Sequence, residues 1–263
     1  MPIEIDLQLR PFSQSDFGIV AYEVVGHAIA IHKRLGRIFD ESVYRETLAH
    51  ILATRAVNEV CIRLSHLGFQ KLYFMDLVVE AGCPFELKVV SQLHDRHRGQ
   101  LIQYLMLTDL SHGKLINFGG KKLEHEFVNC LETTAHRRAF ELDLSRWSAT
   151  TADDRRFQEM LVGLLRDWGT GLDRGLYIDA ITHFLGGPEF VRLPIEALWD
   201  GKIVGRQLTN LAGRNAAFEI TCLRNEVDSY EQHLKRFLSN TTLERILWAN
   251  VESGRVTLVA LAK

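Results

Sequence analysis

The feature that most constrains the fold is a repeat of the chain's own pattern at a constant spacing. The stretch "IFDESVYRETLAHIL" in the first half matches "GLDRGLYIDAITHFL" in the second half, where Tyr177 stands 133 positions after Tyr44. The same spacing relates Phe85-Glu86 to Phe218-Glu219. Because the offset holds through helix-like and strand-like segments, the sequence predicts one fold that is present twice.

Within the first copy, the apolar pattern predicts two helices, then three strands, a helix and two further strands. The helices are predicted over residues 16–36, 40–56 and 94–110, and the strands over residues 60–69, 71–81, 84–90, 113–119 and 124–130. A helical crossover between two strands favours a mixed sheet with helices packed against it. The predicted domains are residues 1–131 and 152–263, separated by a more polar stretch.

Composition excludes several classes of protein. The 263 residues are 46% apolar and 24% charged, which suits folded domains rather than a disordered chain. The net charge of −2 does not by itself indicate a nucleic-acid partner, so such binding would need a local basic surface or metal ions. The four cysteines form no C-x-x-C pair, and no apolar run is long enough to span a membrane. Together with an N-terminus unlike a signal peptide, these observations predict a cytoplasmic protein with reduced thiols and no membrane contact.

Polar residues interrupt otherwise apolar elements of the first copy at places where their side chains could converge. Asp76 lies inside "YFMDLVV", and Glu86 and Lys88 share one face of "PFELKVV" because the side chains of a strand alternate. The predicted helices on either side contribute further polar groups. The full candidate set is Glu41, Asp76, Glu86, Lys88, His97, Gln100 and Tyr104.

These residue types suit metal-assisted hydrolysis of phosphodiester bonds. Carboxylates held close together repel one another, and a hard divalent cation relieves that repulsion. Mg²⁺ prefers oxygen ligands, which Asp76, Glu86 and the backbone carbonyl of Leu87 would supply. A neighbouring lysine such as Lys88 can orient or deprotonate a metal-bound water and can stabilise charge on a phosphoryl group.

Each of these residues also has an interpretation that involves no function. Glu86 and Lys88 could form an ion pair at a sheet edge, and Tyr44 suits a core position. His94 and His97 lie near a helix start, where solvated side chains are common. The functional interpretation therefore depends on the order of all the polar residues together.

The order of these residues resembles the PD-(D/E)xK nuclease superfamily, whose acidic and lysine motif is similar to "FELK". "QLIQY" is similar to the QxxxY element of its RecB-like branch. "GRIFDESVY" resembles the first motif of the GxxExxY family through Gly36, Glu41 and Tyr44, although the gap after the glycine is longer. The resemblance covers about residues 18–128, with Met75 where the name of the superfamily has proline.

The resemblance implies an α/β fold made of two tandem restriction-endonuclease-like αβββαβ domains, each a mixed sheet flanked by helices. It implies that the first domain acts on nucleic acid, with DNA as the expected substrate and Mg²⁺ or Mn²⁺ as cofactor. Asp76, Glu86 and the Leu87 carbonyl would hold the metal, with Glu41 as a further acidic group near it. The implied catalytic set is Glu41, Asp76, Glu86, Lys88 and Gln100, and the implied supporting or substrate-binding set is Tyr44, His97 and Tyr104.

The second copy keeps the apolar frame but loses most of the polar set. The counterparts of Glu41, Asp76, Lys88, Gln100 and Tyr104 are, in that order, Arg174, Asn210 after a one-residue gap, Thr221, His233 and Phe237. Only Glu219, the counterpart of Glu86, retains its carboxylate. One carboxylate beside an arginine carries too little negative charge to hold Mg²⁺ well. We therefore expect a catalytically inactive second domain that pairs with the first as a pseudo-dimer.

The sequence leaves three functions open. The first is a metal-dependent nuclease that works through the first copy. The second is a non-catalytic module, in which two nuclease-like domains bind nucleic acid or a protein. The third is a charge network inside an α/β protein of other function, which would be marked by Lys88 paired with Glu86 in a closed core.

Overall fold

A computed structural model describes residues 2–263, and the contacts among them divide the chain into two units. The first unit runs to Ser65 and resumes over Lys71–Thr134. The second unit comprises His66–Gln70 and Ala135–Lys263. No helix within residues 2–263 is both long enough and apolar enough to cross a membrane.

The first unit is built on a six-stranded sheet with three longer helices. Its strands are β1 (Ile3–Ile5), β2 (Ala56–His66), β3 (Phe69–Val79), β4 (Cys83–Lys88), β5 (His112–Asn117) and β6 (Glu124–Asn129). Its helices are α1 (Gln14–Leu35), α2 (Glu41–Leu52) and α3 (Asp95–Thr108), and a 3₁₀ turn at Ala53–Arg55 joins α2 to β2.

The sheet of the first unit is mixed, with the strand order β1-β2-β3-β4-β5-β6. Strands β4 and β5 are parallel, and α3 connects them as the crossover. The pairs β1–β2, β3–β4 and β5–β6 are antiparallel. The predicted helices and strands of this copy are therefore confirmed, and β1 is an additional edge strand.

Helices α1 and α2 pack on one face of this sheet and form the main core. Helix α1 begins after Ser13, whose hydroxyl accepts from the backbone N–H of Asp16, and it ends at Gly36, where φ is 78°. Its buried side chains recur at helical spacing and meet Phe85 and Leu87 of β4. Because side chains alternate along a strand, Glu86 and Lys88 point to the opposite face, on which α3 lies.

The second unit repeats this arrangement with its own six-stranded sheet. Its strands are β7 (Glu141–Arg146), β8 (Arg192–Trp199), β9 (Lys202–Gly213), β10 (Ala216–Thr221), β11 (Arg245–Glu252) and β12 (Arg255–Ala262). Its helices are α4 (Thr134–Arg138), α5 (Ala152–Trp168), α6 (Arg174–Phe184), α7 (Pro188–Val191) and α8 (Val227–Ser239). The strand order is β7-β12-β11-β10-β9-β8, and α8 connects the parallel pair β10–β11. The predicted fold class, two mixed sheets flanked by helices, is confirmed.

Strand β7 lies in the polar stretch that the sequence placed outside both domains. It pairs with β12 alone, as a parallel edge strand, and most of its side chains remain partly or fully exposed. An edge strand of this kind needs no apolar run, so hydrophobic pattern alone does not reveal it. Contacts place the division between the units at Thr134 and Ala135, ahead of this strand.

Individual hydrogen bonds recur in the two units at the spacing of 133 residues. The hydroxyl of Tyr44 donates to the carbonyl oxygen of Gly36 at 2.9 Å, and that of Tyr177 donates to the carbonyl oxygen of Gly169 at 2.6 Å. Both tyrosines are fully buried. Each bond joins the end of one helix to the next helix, so the same residue pair fixes the same turn in both units.

A buried asparagine forms a second recurring contact. Asn117, at the end of β5, accepts from the Val90 N–H at 3.0 Å and donates to the Val90 carbonyl at 2.9 Å. Asn250, at the corresponding place in β11, makes the same two bonds to Leu223 at 2.8 and 2.9 Å. In each unit the asparagine ties the segment that follows the central strand to the neighbouring parallel strand.

Candidate active site

Two neighbouring strands and one helix start bring four charged residues of the first unit together. Asp76 lies on β3, and Glu86 and Lys88 lie on β4. Leu77 pairs with Phe85, so the next pair of this antiparallel ladder places Asp76 opposite Glu86. Glu41 is the first residue of α2.

The ammonium of Lys88 lies at the point on which the oxygens of this group converge. Its Nζ is 2.7 Å from Glu86 Oε1 and 2.7 Å from the carbonyl oxygen of Leu87. It is 3.6 Å from Glu41 Oε2 and 3.8 Å from Asp76 Oδ2. Asp76 Oδ2 also accepts from the backbone N–H of Leu87 at 2.8 Å, which orients that carboxylate. We call Glu41, Asp76, Glu86 and Lys88 the acid–lysine cluster.

Burial differs across the acid–lysine cluster and leaves it accessible from one side. The side chain of Glu86 is 1% exposed, whereas that of Glu41 is 35% exposed. Lys88 and Asp76 lie between these limits, at 12% and 13%. The direct pairing of Lys88 with Glu86 is the mark expected of a closed charge network, but the cluster opens to solvent at Glu41.

The acidic groups of the cluster are held in an environment that disfavours their charge. Burial raises the pKa of Glu86 to about 8, and the charge of Asp76 acts in the same direction. Burial also raises the pKa of Asp76, and burial together with the charge of Asp76 raises that of Glu41. Burial opposes the charge on Lys88, but the surrounding carboxylates outweigh it and raise its pKa. At neutral pH, Lys88 is therefore charged while Glu86 holds a proton.

The donor set of the cluster fits a hard divalent cation. Among residues 2–263, no group of three His, Cys, Asp or Glu side chains is already arranged around a metal position, because Lys88 lies at the centre of the carboxylates. The available donors are nonetheless all oxygens, and three carboxylates against one ammonium leave a formal charge of −2. The proton on Glu86 is one that a cation would displace on binding.

Helix α3 covers the polar face with a second pair of predicted residues. Gln100 Nε2 donates to the hydroxyl of Tyr104 at 2.9 Å. Burial raises the pKa of Tyr104, and the charge of Glu86 acts in the same direction, so the phenol stays protonated beside the cluster. The structure therefore brings Gln100 and Tyr104 to the face that carries the cluster.

His97 is buried, so the interpretation of both histidines as solvated is wrong for this residue. Its Nδ1 accepts from the backbone N–H of His94 at 3.1 Å, which forms part of the cap of α3. Burial lowers the pKa of His97, and the charge of Lys88 acts in the same direction. His97 thus orients the start of α3 next to the cluster.

Tyr44 lies in the core rather than at the surface. It is fully buried, its hydroxyl holds the Gly36 carbonyl, and its ring stacks on Phe118 with centroids 4.4 Å apart. Its contacts fix the turn from which α2 starts and therefore the position of Glu41. They assign it a supporting role and leave no surface for a substrate to touch.

The second unit has replaced the cluster with uncharged and structural contacts. Thr221, the counterpart of Lys88, donates to Asn250 at 2.8 Å and accepts from the indole of Trp248 at 2.9 Å. Glu219 accepts from the hydroxyl of Tyr230 at 3.0 Å and lies 3.5 Å from Arg174. The hydrogen-bonding groups that remain are satisfied within the unit.

The proposed counterpart of Asp76 in the second unit needs correction. Ala217 pairs with Leu211, and both pack in the core on the side of α8, so alternation places Thr209 rather than Asn210 on the face of Glu219. A register shift between β9 and β10 obscures this relation in the sequence. Thr209 is uncharged, so the loss of the second acidic position still holds.

Sequence reasoning missed two groups of residues that shape the sites. Asn117 and Asn250 carry the clamp described above, and their spacing of 133 residues was a signal that could have revealed them. Tyr230 and Trp248 fill the second unit at positions where the first unit has His97 and Leu115, and only the folded contacts reveal their role.

Comparison with known proteins places the acid–lysine cluster inside a recognised nuclease pattern. Residues 19–130 match the model of the PD-(D/E)XK nuclease superfamily. No curated protein and no solved structure gives a match to the chain. The matched segment contains all four residues of the cluster and ends before the second unit, which agrees at the superfamily level with the resemblance over residues 18–128.

Proposed function

We propose that the first unit is a metal-dependent nuclease that hydrolyses phosphodiester bonds, with DNA as the expected substrate. The observation that carries this proposal is the convergence of three carboxylates and the Leu87 carbonyl within 3.8 Å of one ammonium. This convergence lies in the segment that matches the nuclease superfamily. The same residues were singled out from the sequence because of their chemistry.

Each residue of the cluster takes a distinct role in this proposal. A cation held by Asp76, Glu86, the Leu87 carbonyl and Glu41 would be Mg²⁺ or Mn²⁺ and would neutralise charge on the phosphodiester. An ammonium has three N–H donors, and Lys88 uses two of them on Glu86 and Leu87. The third remains for an oxygen of the phosphate or for the attacking water. Gln100 and Tyr104 cover the site from α3 and limit its access to solvent.

The imbalance of charge favours this function over a closed charge network. A network that serves stability alone pairs its charges, since an uncompensated buried charge is costly. Here three carboxylates surround one lysine, and burial raises the pKa of Glu86 to about 8. Such stored repulsion is typical of sites that bind a cation or perform acid–base chemistry.

The first motif of the cluster also has a physical explanation that supports membership of the GxxExxY family. Gly36 ends α1 with φ of 78°, and the hydroxyl of Tyr44 holds its carbonyl. This lock fixes the turn that leads to Glu41, whose carboxylate reaches Lys88 at 3.6 Å. In this proposal the glycine and tyrosine build the turn, and the glutamate does the chemistry.

We assign no catalytic role to the second unit and propose that it arose by duplication of the first. The shared hydrogen bonds of Tyr44 and Tyr177, and of Asn117 and Asn250, support the duplication. The replacement of Lys88 by Thr221, which is bonded to Trp248, supports the loss of activity. The second unit supplies the non-catalytic part of the molecule.

Cleavage assays test this function directly. Labelled single-stranded DNA, double-stranded DNA and RNA are incubated with the protein in Mg²⁺, in Mn²⁺ or in a chelator. We expect cutting only with metal, a loss of about 10²-fold or more for Glu86→Ala and Lys88→Ala, and parental rates for the matched control Glu219→Ala. If the protein cuts none of these substrates, or if both cluster variants cut as the parent does, the proposal is wrong.

A further inference from the structure

A cleft in the first unit is lined by three positively charged side chains that the mechanism above does not use. Arg37 lies in the turn between α1 and α2, and Lys121 and Lys122 follow β5. All three are exposed. Within residues 2–263, none of them forms an ion pair with an acidic side chain. Ser91, Gly119 and Gly120 complete the wall with small groups.

The only carboxylate that lines this cleft is already engaged. Glu124 Oε2 accepts from the side-chain amide of Asn117 at 2.9 Å. Its charge is thus directed towards the asparagine clamp, while the three cations are free to meet an anion. The cleft is locally basic although the chain as a whole carries a net charge of −2.

The backbone of the cleft is fixed before any ligand arrives. Asn117 Oδ1 accepts from the Gly119 N–H at 3.0 Å, and the ring of His32 bonds the Gly120 carbonyl at 3.1 Å. A side chain at position 119 would place its Cβ 2.4 Å from the Val90 carbonyl oxygen, so glycine is required for this approach. A preformed cleft lowers the entropic cost of binding.

Chain connectivity places the cleft next to the acid–lysine cluster. Ser91 follows Lys88 by three residues and Arg37 precedes Glu41 by four, so fully extended chain would separate them by about 11 and 14 Å at most. A strand of B-form nucleic acid carries one phosphate per about 3.4 Å of its axis. The cleft therefore lies within about three to four phosphates of the cluster.

The second unit lacks this cleft as it lacks the cluster. At the spacing of 133 residues, Thr170 replaces Arg37, Glu252 replaces Gly119 and Gly254 replaces Lys121. Thr170 is fully buried, and its hydroxyl accepts from the Gly254 N–H at 3.0 Å. The basic residues are thus confined to the unit that keeps the complete acidic and lysine set, which links them to the same function.

We propose that Arg37, Lys121 and Lys122 bind the sugar–phosphate backbone of the nucleic-acid strand whose scissile bond lies at the acid–lysine cluster. This inference rests on the proposed function, because it assigns the track that leads the substrate to that site. Contacts to phosphates carry no base information, so the cleft contributes affinity and register rather than sequence preference. DNA and RNA share the chemistry that it recognises.

Salt-dependent binding tests the proposal without relying on catalysis. Fluorescent oligothymidylate and oligouridylate are titrated in a chelator, with the parent and with the triple variant Arg37→Gln, Lys121→Gln, Lys122→Gln. Removing three phosphate contacts should reduce the slope of log affinity against log salt by about 2, at about 0.7 per contact. A fourfold rise in salt should then cost the parent about 18-fold more affinity than it costs the triple variant.

A matched control removes the same charge from exposed positions of the second unit. The variant Arg192→Gln, Lys202→Gln, Arg224→Gln should retain the parental slope if the cleft, and not overall charge, binds the strand. Parental urea unfolding by both triple variants shows that the comparison is one of surfaces. A loss for one oligonucleotide alone identifies DNA or RNA as the strand that the cleft takes.

The two proposals fail in different ways. If the cleft variant binds both oligonucleotides with the parental affinity and slope, the backbone track is wrong, even where the parent cleaves. If inorganic phosphate displaces the strands beyond its effect on ionic strength, the cleft is a pocket for a single anion and the track is again wrong. If the cleft variant loses binding but the parent cleaves nothing with metal, the track stands and the nuclease function fails.

Discussion

Glu86→Gln should change how the stability of the protein depends on pH, because the buried carboxyl holds a proton that the unfolded chain releases. Burial raises the pKa of Glu86 from its ordinary value of 4.5 to about 8. The group therefore binds a proton in the folded state where it is ionised in the unfolded state. Its contribution to stability is fully present below pH 4.5 and is lost as pH rises through 8.

The expected magnitude follows from the linkage between protonation and folding. Between pH 5 and pH 8, the parent should lose about 1.4 kcal/mol of unfolding free energy per pH unit through this group, or about 4 kcal/mol in all. Glutamine keeps an oxygen that can accept from Lys88, whose Nζ now lies 2.7 Å from Oε1, but it cannot titrate. The variant should therefore lose this part of the pH dependence.

Urea unfolding in a chelator, at pH 5, 6, 7 and 8, measures the effect. The parent should be more stable than Glu86→Gln at pH 5, or close to it, and the variant should gain on the parent steadily up to pH 8. Glu46→Gln on the outer side of α2, where the side chain is 64% exposed, is the matched control and should follow the parent at each pH. Parallel curves for the parent and Glu86→Gln would refute the proton assigned to this cluster.

Two further predictions concern the contacts that both units share. Tyr44→Phe and Tyr177→Phe each leave a glycine carbonyl without its buried donor, so each should lower the unfolding free energy by about 1–3 kcal/mol, and urea unfolding that shows no loss would contradict the lock. Asn117→Leu removes four hydrogen bonds and should destabilise the protein by about 3 kcal/mol or more, with loss of hydrogen-exchange protection in the segment after β4. An unchanged exchange rate at Val90 would show that the clamp does not hold that segment.

Most of the fold could be predicted from the sequence because the helices and central strands are amphipathic or buried in regular patterns. The end of α1 at Gly36 and the crossover through α3 follow from local signals that the tertiary structure does not override. Strand β7 could not be predicted in this way. Its pairing with β12 joins segments more than a hundred residues apart, and its own side chains form no apolar face.

The candidate site divides in the same manner. Alternation along β4 predicted that Glu86 and Lys88 share a face, and the repeat identified Lys88 as the residue that the fold does not require. The sequence could not reveal that Lys88 lies between all three carboxylates, since this depends on the approach of α2 to β3 and β4. It also gave the wrong counterpart for Asp76, because the register shift between β9 and β10 alters which residue faces α8.

Binding of Mn²⁺ tests the central claim, that the acid–lysine cluster holds a divalent cation, without requiring the right substrate. The free Mn²⁺ signal in electron paramagnetic resonance is titrated with the parent, Asp76→Asn, Glu86→Gln and the second-unit control Glu219→Gln at pH 8. We predict binding in the parent and in Glu219→Gln, and a loss of about tenfold or more in affinity for each cluster variant. Absence of binding in the parent, or equal binding by all four proteins, would contradict the account.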